Sequence, residues 1–464
     1  MSDEDGQRKD VLELLRKVKT PLLRYPGGNF VSNYHWEDGI GPKENRKRVF
    51  EYAWLTEESN QFGTVDFILE CRKVGAEPYL CVNMGSGTVE EAMHWVEYCN
   101  GTGNTYYANL RRSHGYEEPF KVKYWGLGNE MYGDWQMEKL NAEDYATRAL
   151  EFAKAMKWAD PTISLVVCGL QDSCDWNVAA LKKLYSMSDY ISAHHYSVGW
   201  GPFERDNYLE NLYVPQYMEK LNNMVKASII VAQNDDENRI QIAWDEWNLF
   251  GWLVDKVNED TRYDLHDAIV TALILNFFIK NCDSIGMANY STFVNINGAV
   301  SVKENGVVLR PQYYAFELLA NNTGSHLVDT QVQCDAYNVK VPVNANRRVA
   351  PGTDSLLAKY GEEYKQDIPY VDAVTTTDDE YIYISLINKH LEDDMEVNLE
   401  FLGDTIPTGE AEIYTIYADD IRACNEEGKE PQVTITEGTP VLAGRNMCIT
   451  VKKHSINLLR MKKG

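Results

Sequence analysis

V-K-Y-W-G-L-G-N-E, residues 122–130, is an apolar run that ends on an asparagine and a carboxylate. Its apolar residues do not alternate with polar ones, so it reads as a strand buried on both faces, the habit of parallel sheets. Two runs of the same kind precede it, PLLRY (21–25) and EPYLCVN (77–83). Four follow it: ISLVVCG (163–169), DYISAHHY (189–196), IQIAWDEW (240–247) and SIGMANY (284–290). Amphipathic stretches precede or separate the runs, at Val11–Val18, Thr64–Val74, Val89–Tyr98, Ala142–Trp158 and Asp264–Asn281. Such alternation predicts an α/β architecture with a parallel sheet covered by helices. Asn29, Asn83, Glu130, Tyr196 and Glu246 fall at or just past the C-terminal ends of the runs. That is the end at which a TIM barrel carries its chemistry.

A complete (β/α)8 barrel needs one strand more than the seven runs found. The expectation is therefore a TIM barrel whose first strand is missing from the beginning of this chain, with Val11–Val18 a helix entering the first run. After residue 320 or so the texture changes. HLVDTQVQCDAY, YVDAVTT, YIYISLIN, MEVNLEFL, AEIYTIY and MCITVKK are short, β-rich and separated by turn residues. They predict an all-β sandwich. The stretch Asn344–Gln366 reads as irregular, with a turn at Pro351-Gly352. Residues 1–318 are thus expected to form the barrel domain and residues 319–464 the sandwich.

A formal net charge of −25 and a pI near 4.8 disfavour nucleic acid and anionic membrane surfaces as partners. No apolar stretch is long enough to span a bilayer, and the acidic N-terminus has no leader-like pattern. The nine cysteines are scattered, with no C-x-x-C pair, and read as reduced core residues. Together these features predict a cytoplasmic protein.

Two carboxylates stand out. Glu130 ends one apolar run, and Glu246, in I-A-W-D-E-W-N-L-F, comes three runs later between Trp244 and Trp247. Strands three apart in a barrel face each other across its mouth. A pair of carboxyl groups there suits glycoside hydrolysis, in which one carboxyl protonates the leaving oxygen while the other stays ionised. Trp244 and Trp247 offer flat apolar faces for a sugar. Strand alternation places Asp245 outside the barrel. His194 and His195 are adjacent, should face opposite ways and lack a ligand pattern, so no metal is expected.

The stretch LRYPGGNFVSNYHWEDGIGP (23–42) resembles the α-L-arabinofuranosidases of glycoside hydrolase family 51, as do KYWGLGNEMYGDW (123–135), WDEWN (244–248) and VGAEPYLCVNMGSGTVEEAMHWVEYCN (74–100). The likeness extends over nearly the whole chain. It implies a TIM barrel with a C-terminal, jelly-roll-like β-sandwich and no cofactor. Glu130 would be the acid/base and Glu246 the nucleophile of a retaining hydrolase. Asn29 and Asn129 would bind the sugar, Asn129 at its 2-hydroxyl, and Tyr196 would orient the nucleophile. Arg24 reads as an architectural charge. The expected substrates are arabinan- and arabinoxylan-derived oligosaccharides losing terminal α-L-arabinofuranose, and the expected assembly is a homo-oligomer, often a hexamer in this family.

Two departures from the family's pattern qualify that expectation. The family's usual N-terminal segment, with the first barrel strand and a sugar-contacting glutamate, is absent from this sequence. Thr292, in NYSTFVN (289–295), stands where many members carry a glutamine. The alternatives are a weakly active or inactive sugar-binding relative, or a retaining endoglucanase or β-xylosidase of the same family.

Overall fold

The computed structural model describes residues 2–198, 203–233, 240–251, 263–340 and 365–464, and the chain divides into two compact units. Most of the irregular stretch expected at Asn344–Gln366, including Pro351-Gly352, lies outside the described residues.

One unit comprises Met1–His194, Lys220–Glu246 and Ser284–Asn289. The seven predicted runs form one sheet, hydrogen-bonded in chain order, that lies mostly in this unit: Leu22–Tyr25, Glu77–Val82, Tyr124–Leu127, Ser164–Val167, Tyr190–Val198, Gln241–Phe250 and Ile285–Tyr290. The first four pairings are parallel, with Tyr79 opposite Tyr124 and Tyr124 opposite Ser164. Helices Thr64–Val74, Val89–Asn100, Ala142–Ala159 and Cys174–Leu184 link the first five strands. Their starts follow from local chemistry: Thr88, Asn141 and Ser173 each accept a backbone N–H of the first turn, satisfying a donor that the helix itself leaves open.

Among the described residues no strand joins Leu22–Tyr25 to Ile285–Tyr290, so the sheet is a near-closed, TIM-like barrel of seven strands. Its interior is filled by Val31, Tyr79, Cys81, Val166 and Ala243, against which Leu22, Tyr124, Tyr190 and Met287 pack. The fifth and sixth strands run further than their sequence patterns suggested. Glu246 consequently lies within the sixth strand rather than at its end, which is Phe250.

The other unit comprises His195–Glu219, Trp247–Asp283 and Tyr290–Gly464. Its seven-stranded antiparallel sheet runs His326–Val328, Val371–Thr377, Tyr381–Asn388, Ser455–Lys463, Pro407–Ile416, Ile435–Glu437, with Val441–Leu442 also paired to Pro407–Ile416. Period-2 alternation gives this sheet two apolar faces. Ile382, Ile384, Leu386, Leu459 and Met461 face the ribbon Met395–Glu400/Asn446–Val451 through Met447, Ile449 and Val451. Ile387, Ile456 and Leu458 belong instead to a core with Leu265, Ile269 and Leu273 of the helix Leu265–Lys280, and with Leu318 and Leu319 of Pro311–Asn321. The C-terminal domain is thus all-β, and helices earlier in the chain cover its second face. Among the described residues no helix is long and apolar enough to cross a membrane.

Candidate active site

The first strand delivers Arg24 to the barrel mouth. The chain turns directly after it through Pro26, Gly27 and Gly28. Gly27 sits at φ +61°, and a Cβ there would fall 2.6 Å from Arg24 Nη1. A side chain at that position would displace the guanidinium, so glycine serves both the turn and the close approach. Arg24 Nη1 donates to Glu246 Oε1 at 2.8 Å and Nη2 to Asn129 Oδ1 at 2.7 Å, while Nε lies 3.5 Å from Asp245 Oδ2. The side chain is only 8% exposed, so these charges interact with little screening from water.

Glu130 follows the third strand with φ +44°, in the left-handed region that costs a non-glycine residue roughly 1–2 kcal/mol. Its Oε1 accepts from His194 Nδ1 at 2.9 Å and its Oε2 from the Trp135 indole N–H at 2.6 Å. His194 Nδ1 also stands 3.6 Å from Glu246 Oε2, and on its other side Nε2 is 3.2 Å from Asp245 Oδ1. One imidazole therefore touches three carboxyl groups. An oxygen of Glu130 and an oxygen of Glu246 lie within 4.8 Å of each other.

Burial alone would drive a proton off His194, but the charges of Glu246 and Asp245 and the bonds to Asp245 and Glu130 outweigh it and raise its pKa to about 10. Burial likewise opposes ionisation of Asp245. Arg24 and His194 overcome that and bring it down to about 2. For Glu130, burial pushes upward, while the His194 bond and charge, the Trp135 N–H and Arg24 together hold it below the ordinary carboxylate value. With its pKa raised, His194 acts as a donor to Glu130 Oε1. His195, on the opposite face of the strand, is the contrast: burial alone pushes it down to about 4, and it stays neutral beside Ser197.

Asp245 corrects the expectation drawn from alternation. It is inside the barrel, accepting from Tyr79 Oη at 2.8 Å and from Ser192 as well as meeting His194 and Arg24. Asp245 and the next residue, Glu246, thus reach the same imidazole and the same guanidinium. Sequence reasoning also missed Trp135 as a partner of Glu130, although it closes the motif KYWGLGNEMYGDW.

The other predicted residues are distributed as follows. Asn129 is 1% exposed, its carbonyl oxygen taken by Arg24 and its amide nitrogen 3.5 Å from Gln136 Oε1. Asn29 opens the turn after the first strand, its amide 3.5 Å from the Trp135 carbonyl. Tyr196 lies two residues beyond His194 on the fifth strand and donates to Ser291 at 2.7 Å. Trp247 is 1% exposed, its ring set among Phe278, Tyr290 and Phe316. Trp244 is fully buried and donates to Asn222 at 3.2 Å. Thr292 turns its hydroxyl onto the Val294 carbonyl of its own loop. A hairpin at Val49–Glu51 and Thr56–Glu58 presents Phe50, Tyr52 and Trp54 to solvent, and Phe50 and Tyr52 share a cavity of about 350 Å³ with Phe30, the neighbour of Asn29.

Known proteins resemble this one along the whole chain. Residues 14–211 match the family model of the α-L-arabinofuranosidase 1 domain, and residues 245–455 that of the α-L-arabinofuranosidase C-terminal domain. The chain is 35% identical to a probable α-L-arabinofuranosidase C of Aspergillus niger, over 100% of its own length and 89% of the relative's. It is 32% identical to the intracellular exo-α-(1→5)-L-arabinofuranosidase 1 of Bacillus subtilis, over 100% and 91%. Among solved structures, the arabinose complex of the α-L-arabinofuranosidase from Thermotoga maritima superposes with a TM-score of 0.85 at 37% identity, over 99% of this chain and 91% of that one. The chain belongs to the α-L-arabinofuranosidases of glycoside hydrolase family 51.

Proposed function

We propose that this protein is an exo-acting, retaining hydrolase that releases α-L-arabinofuranose from the non-reducing ends of arabinan- and arabinoxylan-derived oligosaccharides. The observation that carries this reading is the spacing of Glu130 and Glu246, whose nearest oxygens lie within 4.8 Å. Double displacement uses carboxyl groups roughly 5–5.5 Å apart, whereas direct displacement by water needs roughly 6.5–9.5 Å.

In this reading Glu246 attacks the anomeric carbon as Glu130 gives its proton to the departing glycosidic oxygen. Water then cleaves the glycosyl ester, losing its proton to Glu130 and restoring both carboxyls. Arg24, bonded to Glu246 Oε1, and His194, 3.6 Å from Oε2, fix the plane of the nucleophile. The same arginine occupies the Asn129 carbonyl, which leaves the amide N–H groups, 3.5 Å from Gln136, as the donors for the sugar 2-hydroxyl in this reading. The exposed rings of Phe50, Tyr52 and Trp54 suit the remainder of an oligosaccharide. The Bacillus subtilis relative is described as intracellular, which supports short oligosaccharides met in the cytoplasm as the substrates. A homo-oligomer is the assembly we expect, and sedimentation of the purified chain measures it.

The test is hydrolysis of p-nitrophenyl α-L-arabinofuranoside by the purified chain, with Glu246→Ala as control. Release that depends on Glu246 is the expected result. No release by the folded wild-type protein would refute the reading.

A further inference from the structure

Both oxygens of Glu130 carry a donor. Oε1 is held by His194 Nδ1 at 2.9 Å, with Tyr132 Oη a further 3.4 Å contact, and Oε2 by the Trp135 N–H at 2.6 Å. A general acid must present its proton to the leaving oxygen within hydrogen-bond reach, and a donor lying on the solvent side of the carboxyl competes for that approach. Oε1 is the enclosed oxygen. The His194 side chain is 5% exposed and is backed by Asp245, which leaves it no room to withdraw.

Trp135 is held differently. It is 56% exposed, and the one ring stacked on it among the described residues is Tyr132, edge-on at 6.2 Å. Its indole lies across Gly133, where a Cβ would come 2.4 Å from Cε2 and 2.8 Å from Nε1. The contact with Glu130 thus exists because residue 133 has no side chain.

We propose that Trp135 is a positioning residue whose indole N–H clamps Glu130 Oε2, and that an incoming glycoside lifts it off so that the leaving-group oxygen takes its place. The inference rests on the reading of Glu130 as the acid/base. Its chemical consequence is specific. A donor on a carboxylate favours the ionised form, and the Trp135 bond is among the influences that hold Glu130 low. Binding removes that donor, and Glu130 takes up a proton from solvent, so the acid is charged for catalysis only when a substrate is present.

The experiment compares pH profiles of kcat/KM, which reports the free enzyme, and of kcat, which reports the complex, on an unactivated arabino-oligosaccharide. In the wild type the basic limb of kcat/KM should lie below that of kcat. Trp135→Phe, which keeps the ring and removes the N–H, should raise the kcat/KM limb by about one pH unit, the scale of one hydrogen bond to a charged group, and leave the kcat limb in place. Gly133→Ala, which keeps the indole and pushes it aside, should produce the same shift. Limbs that move together, or that do not move in either variant, would overturn the clamp. Glu130→Ala separates this failure from that of the underlying assignment: the basic limb should vanish in that variant, and its persistence would remove Glu130 as the acid and the proposal with it.

Discussion

His194 Nε2 stands 3.2 Å from Asp245 Oδ1 beneath the barrel mouth, both side chains almost wholly buried. Asp245 is the carboxylate that faces the back of the imidazole, and it also meets Arg24, Tyr79 and Ser192. The two cationic groups that touch Glu246 are thus held from below by one anion. Replacing Asp245 by Asn leaves His194 and Arg24 without that charge. Removing one partner of a buried ion pair costs about 3–5 kcal/mol. Denaturant unfolding of Asp245→Asn should show a loss of that size, with turnover reduced because the groups orienting Glu246 are no longer fixed. Wild-type stability in the variant would mean that Asp245 does not anchor the cluster.

The charge on His194 makes stability depend on pH in a defined direction. Its pKa is raised from 6.5 to about 10 in the folded chain. A raised value means that folding favours the protonated form, so the contribution is complete below pH 6.5 and fades as pH climbs towards about 10. The stability advantage of the wild type over His194→Gln should therefore shrink between those limits. Urea melts at pH 6, 8 and 10 measure it, and a constant difference would show that His194 is buried neutral.

Glu130→Ala should discriminate by leaving group. A nitrophenol departs without help from an acid, whereas a sugar alcohol does not. We expect roughly 10²- to 10⁴-fold loss of kcat/KM on arabino-oligosaccharides and a much smaller loss on the nitrophenyl glycoside. Equal losses on the two substrates would count against an acid role.

Much of this was legible in the chain, for identifiable reasons. Seven apolar runs with intervening amphipathic stretches specify parallel strands and helices, because burial on both faces leaves no alternation to confuse the reading. The helix read at Thr64–Val74 has those ends in the structure. Glu130 and Glu246 stood out because carboxylates are uncommon within such apolar surroundings. What failed was the assumption of a flat strand. Simple alternation put Asp245 outside the barrel, but Asp245 and Glu246 both meet His194 and Arg24. The Trp135 contact was hidden because it depends on a non-periodic loop, in which Gly133 N–H bonds the Glu130 carbonyl and the missing Cβ admits the indole. The β-rich run YIYISLIN likewise marked a strand, without showing that both its faces are buried or that Leu265–Lys280 covers one of them.

The most direct test of the central claim is azide rescue of Glu246→Ala on p-nitrophenyl α-L-arabinofuranoside, with the configuration of the product read by NMR. Removal of the nucleophile should abolish turnover, and azide entering the vacated space should restore it and give the β-configured glycosyl azide, inverted relative to the substrate. A rescued product of retained configuration would contradict the account, because it would make Glu246 the acid/base and Glu130 the nucleophile.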